Sequence, residues 1–179
     1  MDKYKLIKLT IDNYEPFSII NDIKENENEF KNSAYGLSFD EFKDWLIVQD
    51  KWSKGEDLPN GYVPQNIYWF YIDDEPIGMG KIRLQLTESS RSIGGNIGAA
   101  ISYKYRGKGY GSILYKMLFE ESKKLNLEEI LLTVEKYNPA SRKAIENAGG
   151  VLFKENDSRW FLTIKKYWGL CSTLHLKSS

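Results

Sequence analysis

The stretch Arg106-Gly107-Lys108-Gly109-Tyr110-Gly111 decides the fold. Before it, Asn96-Ile-Gly-Ala-Ala-Ile-Ser-Tyr103 reads as a strand with unusually small residues at its centre. After it, Tyr110, Leu114, Met117, Leu118 and Leu125 fall on one face of a helix predicted over 109–125. A helix start leaves its first backbone N–H groups unpaired and carries about half a positive charge. Glycines keep side chains away from those amides, so a diphosphate can come close, and Arg106 and Lys108 add charge-assisted contacts. Two nucleotide-binding registers fail. G-x-x-x-x-G-K-[ST] meets Ser102 where its first glycine belongs and Gly109 after Lys108. G-x-G-x-x-G, started on Gly107 and Gly109, meets Ser112 at its third glycine. A glycine-rich solvent loop is the plain alternative for the hexapeptide alone.

Upstream, 3–10 reads as an opening strand, and 13–50 as two helical pieces. Ser38 or Asp40 caps the second piece, with Phe39, Phe42, Trp45 and Leu46 at helical spacing. Residues 53–65, rich in Gly, Pro and charge, form a loop. Strands follow over 66–72 and 76–84, joined by a tight turn at Asp73-Asp74-Glu75, and 87–95 is a polar loop. Downstream, Glu129–Val134 is a short buried strand, and Asn138-Pro139 opens a helix ending at Gly149-Gly150. Strands over 151–153 and 159–167 close an α/β domain with a mixed sheet.

At 179 residues, 41% hydrophobic and 28% charged, the chain suits one soluble globular domain. No apolar run nears the roughly 18–20 residues that span a bilayer, and Met1-Asp2-Lys3-Tyr4-Lys5 has no signal-peptide core, so no membrane and a cytoplasmic place are expected. Cys171, the single cysteine, excludes an internal disulfide framework. The formal charge is zero, but residues 10–60 carry twelve acidic against five basic residues. That segment favours a cationic partner, and the basic remainder an anionic one. No concentrated basic stripe supports nucleic acid, and no His, Cys and carboxylate cluster has metal spacing.

The hexapeptide matches [RQ]-x-x-G-x-[GA] and so resembles the signature of the GNAT acetyltransferases. Gly95–Tyr103 resembles that family's central strand, with Tyr103 where a proline is common. Leu131–Asn138, Ser141 and Gly149-Gly150 resemble its later strand and helix. With Lys166-Tyr167-Trp168, the pattern is similar to a bacterial branch of predicted acetyltransferases. The resemblance implies one GNAT-like domain over 1–168, best matched over 66–168, with helices on both faces of the sheet and a tail over 169–179.

It implies acetyl-CoA as co-substrate, with no metal. Backbone groups of Ile101, Ser102 and Tyr103 would pair with the pantetheine arm, and the amides from Lys108 through Gly109, Tyr110 and Gly111 to Ser112 would cradle the pyrophosphate. Asn138 and Ser141 resemble cofactor-contacting positions, with helix capping as their structural reading. The implied chemistry is direct attack by a neutral amine, which needs proximity, a donor for the developing oxyanion (a main-chain N–H near Ile101) and a proton acceptor. Glu135 is the candidate base, or a solvated strand-end carboxylate. Many relatives carry a tyrosine seven residues after the asparagine; here Ile145 stands there, with Tyr137 and Tyr167 as substitutes. Asn96 replaces a histidine common in this branch, and His175 and Cys171 lie outside the matched region. Residues 20–65, with Trp45, Trp52 and Tyr62, would form the acceptor site for a cationic small molecule or peptide amine. Relatives are often dimers, so a homodimer is compatible. A non-catalytic acyl-CoA sensor or complex subunit is the alternative function, and a nucleotide-binding protein a third.

Overall fold

Period-two alternation in one long strand organises the molecule. In β4 (Gln65–Ile72), Ile67, Trp69 and Tyr71 face one way, and Tyr68, Phe70 and Ile72 the other. Both faces are apolar, so both must be covered. The computed structural model, which describes residues 3–127 and 129–164, covers them with helices. On the first face lies α1 (Phe39–Ser53), which buries Phe42, Trp45 and Leu46 against Trp69 and Met79. The second face is covered by α3 (Tyr110–Lys124), burying Leu114 and Leu118; α4 (Pro139–Asn147) packs beside α3 against later strands and adds Ile145 to the same core. Each such aliphatic side chain contributes about 1.5–3 kcal/mol on leaving water.

β4 pairs antiparallel with β1 (Tyr4–Lys8) and with β5 (Glu75–Arg83), and β5 pairs with β6 (Ile97–Ile101). The order of this sheet is β1-β4-β5-β6. A second sheet, in the order β7-β9-β8, is built from β7 (Leu131–Glu135), β8 (Gly150–Glu155) and β9 (Arg159–Ile164). β6 and β7 meet through Asn96 and Leu131, and residues 97–101 and 133–135 beyond that joint line one cleft, so both run from it in the same direction. This is the mixed, α/β arrangement the sequence predicts, with helices on both faces.

Three local expectations are corrected. The first helical piece after Asn13 is a short 3-10 helix, Glu15–Asp22, followed by a hairpin of β2 (Asn26–Glu27) and β3 (Phe30–Lys31). Asn28 and Glu29 turn it with φ of 50° and 64°, as a two-residue hairpin of this hand requires. Buried Asn32 fixes it, its side chain donating to the carbonyls of Ile20 and Ile23, both at 2.7 Å. The loop over 87–95 contains a single helical turn, α2 (Glu88–Ser92), capped reciprocally by Thr87 and Ser90. Glu75 belongs to β5 and leaves a two-residue turn at Asp73-Asp74. Ser38, not Asp40, caps α1, its hydroxyl accepting from the Glu41 N–H while Glu41 returns a bond to the Ser38 N–H. No described helix is long and apolar enough to cross a membrane. Lys166, Tyr167, Trp168, the tail over 169–179, Cys171 and His175 lie outside the described residues.

Candidate active site

The cleft starts where the two sheets touch. Asn96, buried, joins them with four hydrogen bonds. Its N–H donates to the Leu131 carbonyl at 2.6 Å, and its Oδ1 accepts from the Leu131 N–H at 2.8 Å. Toward β5, its carbonyl accepts from the Arg83 N–H at 2.8 Å and its Nδ2 donates to the Arg83 carbonyl at 3.2 Å. Gly95 beside it has φ +63°, and a Cβ there would collide with the Leu131 carbonyl and come within 3.0 Å of the Leu132 Cα. Beyond this joint no ladder links β6 to β7 among the described residues.

The two strands therefore bound a cleft of about 560 Å³. The carbonyl of Asn96 and the N–H of Ser102, which donates to Ile77 at 2.9 Å, both face β5. By strand alternation the backbone groups of Ile97, Ala99 and Ile101 face the cleft, an open edge of the kind an extended ligand arm can join. At the far end of β6 comes the glycine turn. Gly107 and Gly109 have φ of 76° and 81°, conformations in which glycine is unstrained, and no atom lies within 4 Å of a Cβ built on either. Gly109 caps α3 without a side chain. The amides of residues 107–111 have no partner among the described residues, whereas the Ser112 N–H donates to the Gly109 carbonyl at 3.1 Å. Across the cleft, the Asn138 side chain caps α4 by accepting from the Ser141 N–H at 3.1 Å, and the Ser141 hydroxyl meets the Tyr115 hydroxyl at 3.3 Å.

Charge around the cleft is distributed in pairs at the rim and left unpaired behind it. Arg106 grips Glu27 through two bonds of 2.6 and 2.8 Å and donates its Nε to the Ile101 carbonyl at 2.9 Å. This latches the β2–β3 hairpin to the glycine turn. Glu29, at the hairpin tip, and Glu135, at the end of β7, both bind Arg159 of β9. Desolvation pushes the Glu29 carboxyl above its ordinary value, and the nearby Glu135 adds to that. The Tyr137 hydroxyl holds Glu135 below its own ordinary value, helped by Glu29 and Arg159. Glu135 Oε2 is buried without a well-formed hydrogen bond. Behind the hairpin, buried Lys81 donates its Nζ to the Lys31 carbonyl at 2.5 Å and lies 5.2 Å from the Phe30 ring centroid. Arg83, two residues on and so on the same face, donates to the Gly95 carbonyl at 2.8 Å.

An open strand edge running into an amide-lined helix start suits a molecule that has both an extended arm and a diphosphate. A profile described as the acetyltransferase (GNAT) family matches residues 21–149. The chain belongs to the GNAT acetyltransferase family. Acetyl-CoA-dependent N-acetyl transfer is that family's activity. Solved GNAT structures share the fold. A spermidine N-acetyltransferase chimera from Vibrio cholerae superposes with a TM-score of 0.59 at 18% identity, covering 91% of this chain and 95% of its own. The Campylobacter jejuni N-acetyltransferase PseH gives 0.58 at 15%, covering 92% and 99%. The ribosomal L7/L12 α-N-protein acetyltransferase RimL, solved with coenzyme A, gives 0.60 at 12%, covering 92% and 95%. No curated protein matches the chain significantly.

Most sequence-predicted site residues come together in this GNAT cleft. Ile101, Arg106, Gly107, Gly109, Tyr110, Gly111, Ser112, Glu135, Tyr137, Asn138 and Ser141 all line it. Ser102 does not: its N–H is spent on Ile77, and its buried hydroxyl donates to Asp22 at 3.0 Å. Tyr103 begins a 3-10 turn and is 61% exposed, and the Lys108 ammonium sits 5.6 Å over the Tyr105 ring. Trp45 is core, and Trp52 packs on Tyr62 away from the cleft. Ile145 is buried in the core of the α3–α4 face. Glu29, Lys81, Arg83, Tyr115 and Arg159 go unnoticed in the sequence. Lys81 had a readable signal, as a charge inside an otherwise apolar strand.

Proposed function

We propose that the chain moves the acetyl group of acetyl-CoA to a primary amine of a small molecule or peptide, by direct attack with both substrates in the cleft. The carrying observation is continuity: the unpaired amides of 107–111 and the open edge of β6 belong to one cleft. The residues fit the co-substrate, because glycines 107 and 109 leave those amides bare and no Cβ obstructs them. Bound there, acetyl-CoA supplies an acetyl group already activated as a thioester. The turn would hold the diphosphate, and Ile101 and Ala99 would pair with the arm. A main-chain N–H of that edge would donate to the acetyl oxygen as it gains charge.

Glu29 and Glu135 titrate as a pair across Arg159 and would accept the ammonium proton that the amine must lose before it attacks. Burial supports this role for Glu29, because a carboxyl with a raised pKa is a stronger base at neutral pH. The test follows thiol release from acetyl-CoA over an amine panel. Glu29→Gln and Glu135→Gln should each lower kcat about 10²-fold. Activity should rise with pH through the pair's titration, and in Glu29→Gln that acid limb should move to lower pH. Binding of acetyl-CoA without thiol release from any amine would overturn the proposal and favour a sensor.

A further inference from the structure

The hairpin side of the cleft contains two cations with no carboxylate partner. Lys81 and Arg83 project from the same face of β5 toward the underside of β3 and the start of β6. Directly across the ladder from Lys81 is Gly98. Its missing side chain leaves room for the Phe30 ring, which would lie 3.3 Å from a Cβ built there and which roofs the ammonium. Lys31, on the same hairpin, brings a third positive charge that acts on Lys81.

Buried charges are normally paired, since desolvation costs several kcal/mol per ion. Here the acids of the cleft are all spent elsewhere, Glu27 on Arg106 and Glu29 and Glu135 on Arg159. Lys81 keeps one bond, to a backbone carbonyl, and Arg83 uses one of its five N–H donors, on Gly95. Neither makes an ion pair among the described residues, and apart from the Phe30 ring over Lys81 neither has a further partner there. A purely structural staple for the hairpin would account for the Lys81–Lys31 bond. It would not account for a second cation placed beside the first in the wall of a cleft. Burial and the two neighbouring cations push the Lys81 ammonium well down, and an anion in contact would reverse that.

We propose that the acceptor is an amine that also carries a small anionic group, a carboxylate or a phosphate, which Lys81 and Arg83 hold beneath the β2–β3 hairpin. The proposal rests on the transferase reading. The amine of such a molecule would point to Glu29 and Glu135, whose opposite charge suits an ammonium group. The acidic excess over 10–60 does not compete with this arrangement, since of its carboxylates only Glu27 and Glu29 line the cleft and both are held by arginines.

The test is calorimetric titration of the CoA-saturated protein, so that the glycine turn is filled and cannot capture the probe. Probes are matched pairs: protein amino acids against the amines left by removing their carboxyl group, and phosphoethanolamine against ethanolamine. The proposal expects the anionic member of at least one pair to bind at least about tenfold tighter, the scale of one hydrogen bond to a charged group. Which pair responds distinguishes carboxylate from phosphate. In Lys81→Met and in Arg83→Gln the preference should fall to within about threefold, while affinity for CoA itself stays unchanged. Equal or tighter binding throughout of the members without the anionic group, or a preference that survives both substitutions, overturns it. Thiol release is followed in parallel with acetyl-CoA. An intact anion preference without release would sink the transferase reading and leave the anion site standing.

Discussion

Replacing Lys81 by methionine should make the protein more stable and its stability less dependent on pH. Burial beside Arg83 and Lys31 lowers the Lys81 ammonium from 10.5 to about 7. Each pH unit between folded and unfolded values is worth about 1.36 kcal/mol, so a charged Lys81 costs the folded state at most about 5 kcal/mol at neutral pH. Methionine has a similar unbranched shape and no charge. It forfeits the bond to the Lys31 carbonyl, a loss of about 1–3 kcal/mol. The net gain expected at pH 7 is therefore at most about 2–4 kcal/mol, within the range seen when buried ions are replaced by apolar residues. The sign of the pH dependence follows from proton counting. Between about 7 and 10.5 the unfolded chain keeps a proton that the folded chain has lost, so wild-type stability rises with pH through that window. The advantage of Lys81→Met should be full below it and shrink towards its upper end. Urea unfolding of both proteins at about pH 6.5, 8 and 9.5 measures the difference. A variant less stable than wild type at neutral pH, or an advantage that does not change with pH, would refute the reasoning.

Two further substitutions probe the frame of the cleft. Gly95→Ala puts a methyl group into the Leu131 carbonyl at a φ of +63°, and should cost more than about 3 kcal/mol in denaturant unfolding; a loss below about 1 kcal/mol would mean the joint gives way easily. Gly111→Val crowds both the free amides of the turn and Ala144 of α4, whose Cβ lies 3.6 Å from a Cβ built at Gly111. It should weaken CoA binding at least about tenfold by calorimetry, and unchanged affinity would remove the turn from the binding site.

The parts of this protein governed by local chemistry were legible in its sequence. Proline after Asn138 marks the start of α4, and the strand–glycine–helix order around Arg106 marks the turn. Alternation along β4 identifies a strand covered on both faces. What escaped depends on contacts distant in sequence. The β2–β3 hairpin is held by Asn32 reaching back to the 3-10 helix, and nothing in the local period of 26–31 announces it. Glu29 meets Arg159 across 130 positions, so a carboxylate among many others could not be singled out. Asn96, conspicuous as a departure from the family, turned out to join two sheets, a task set by the backbone of Leu131.

The grip of Arg106 on Glu27 has a consequence for the order in which substrates arrive. The carboxylate occupies the same guanidinium that a diphosphate in the turn would attract, so the hairpin and a co-substrate bound there would draw on one cation. Linkage makes such rivalry mutual: whatever loosens the hairpin favours the diphosphate by the same factor, and the reverse. The pair is partly open to water, its side chains 39% and 26% exposed, and pairs of that kind are worth about 1 kcal/mol or less. That bounds the coupling at about fivefold. The latch is light enough for the co-substrate to open it, and too light to impose a strict sequence of entry.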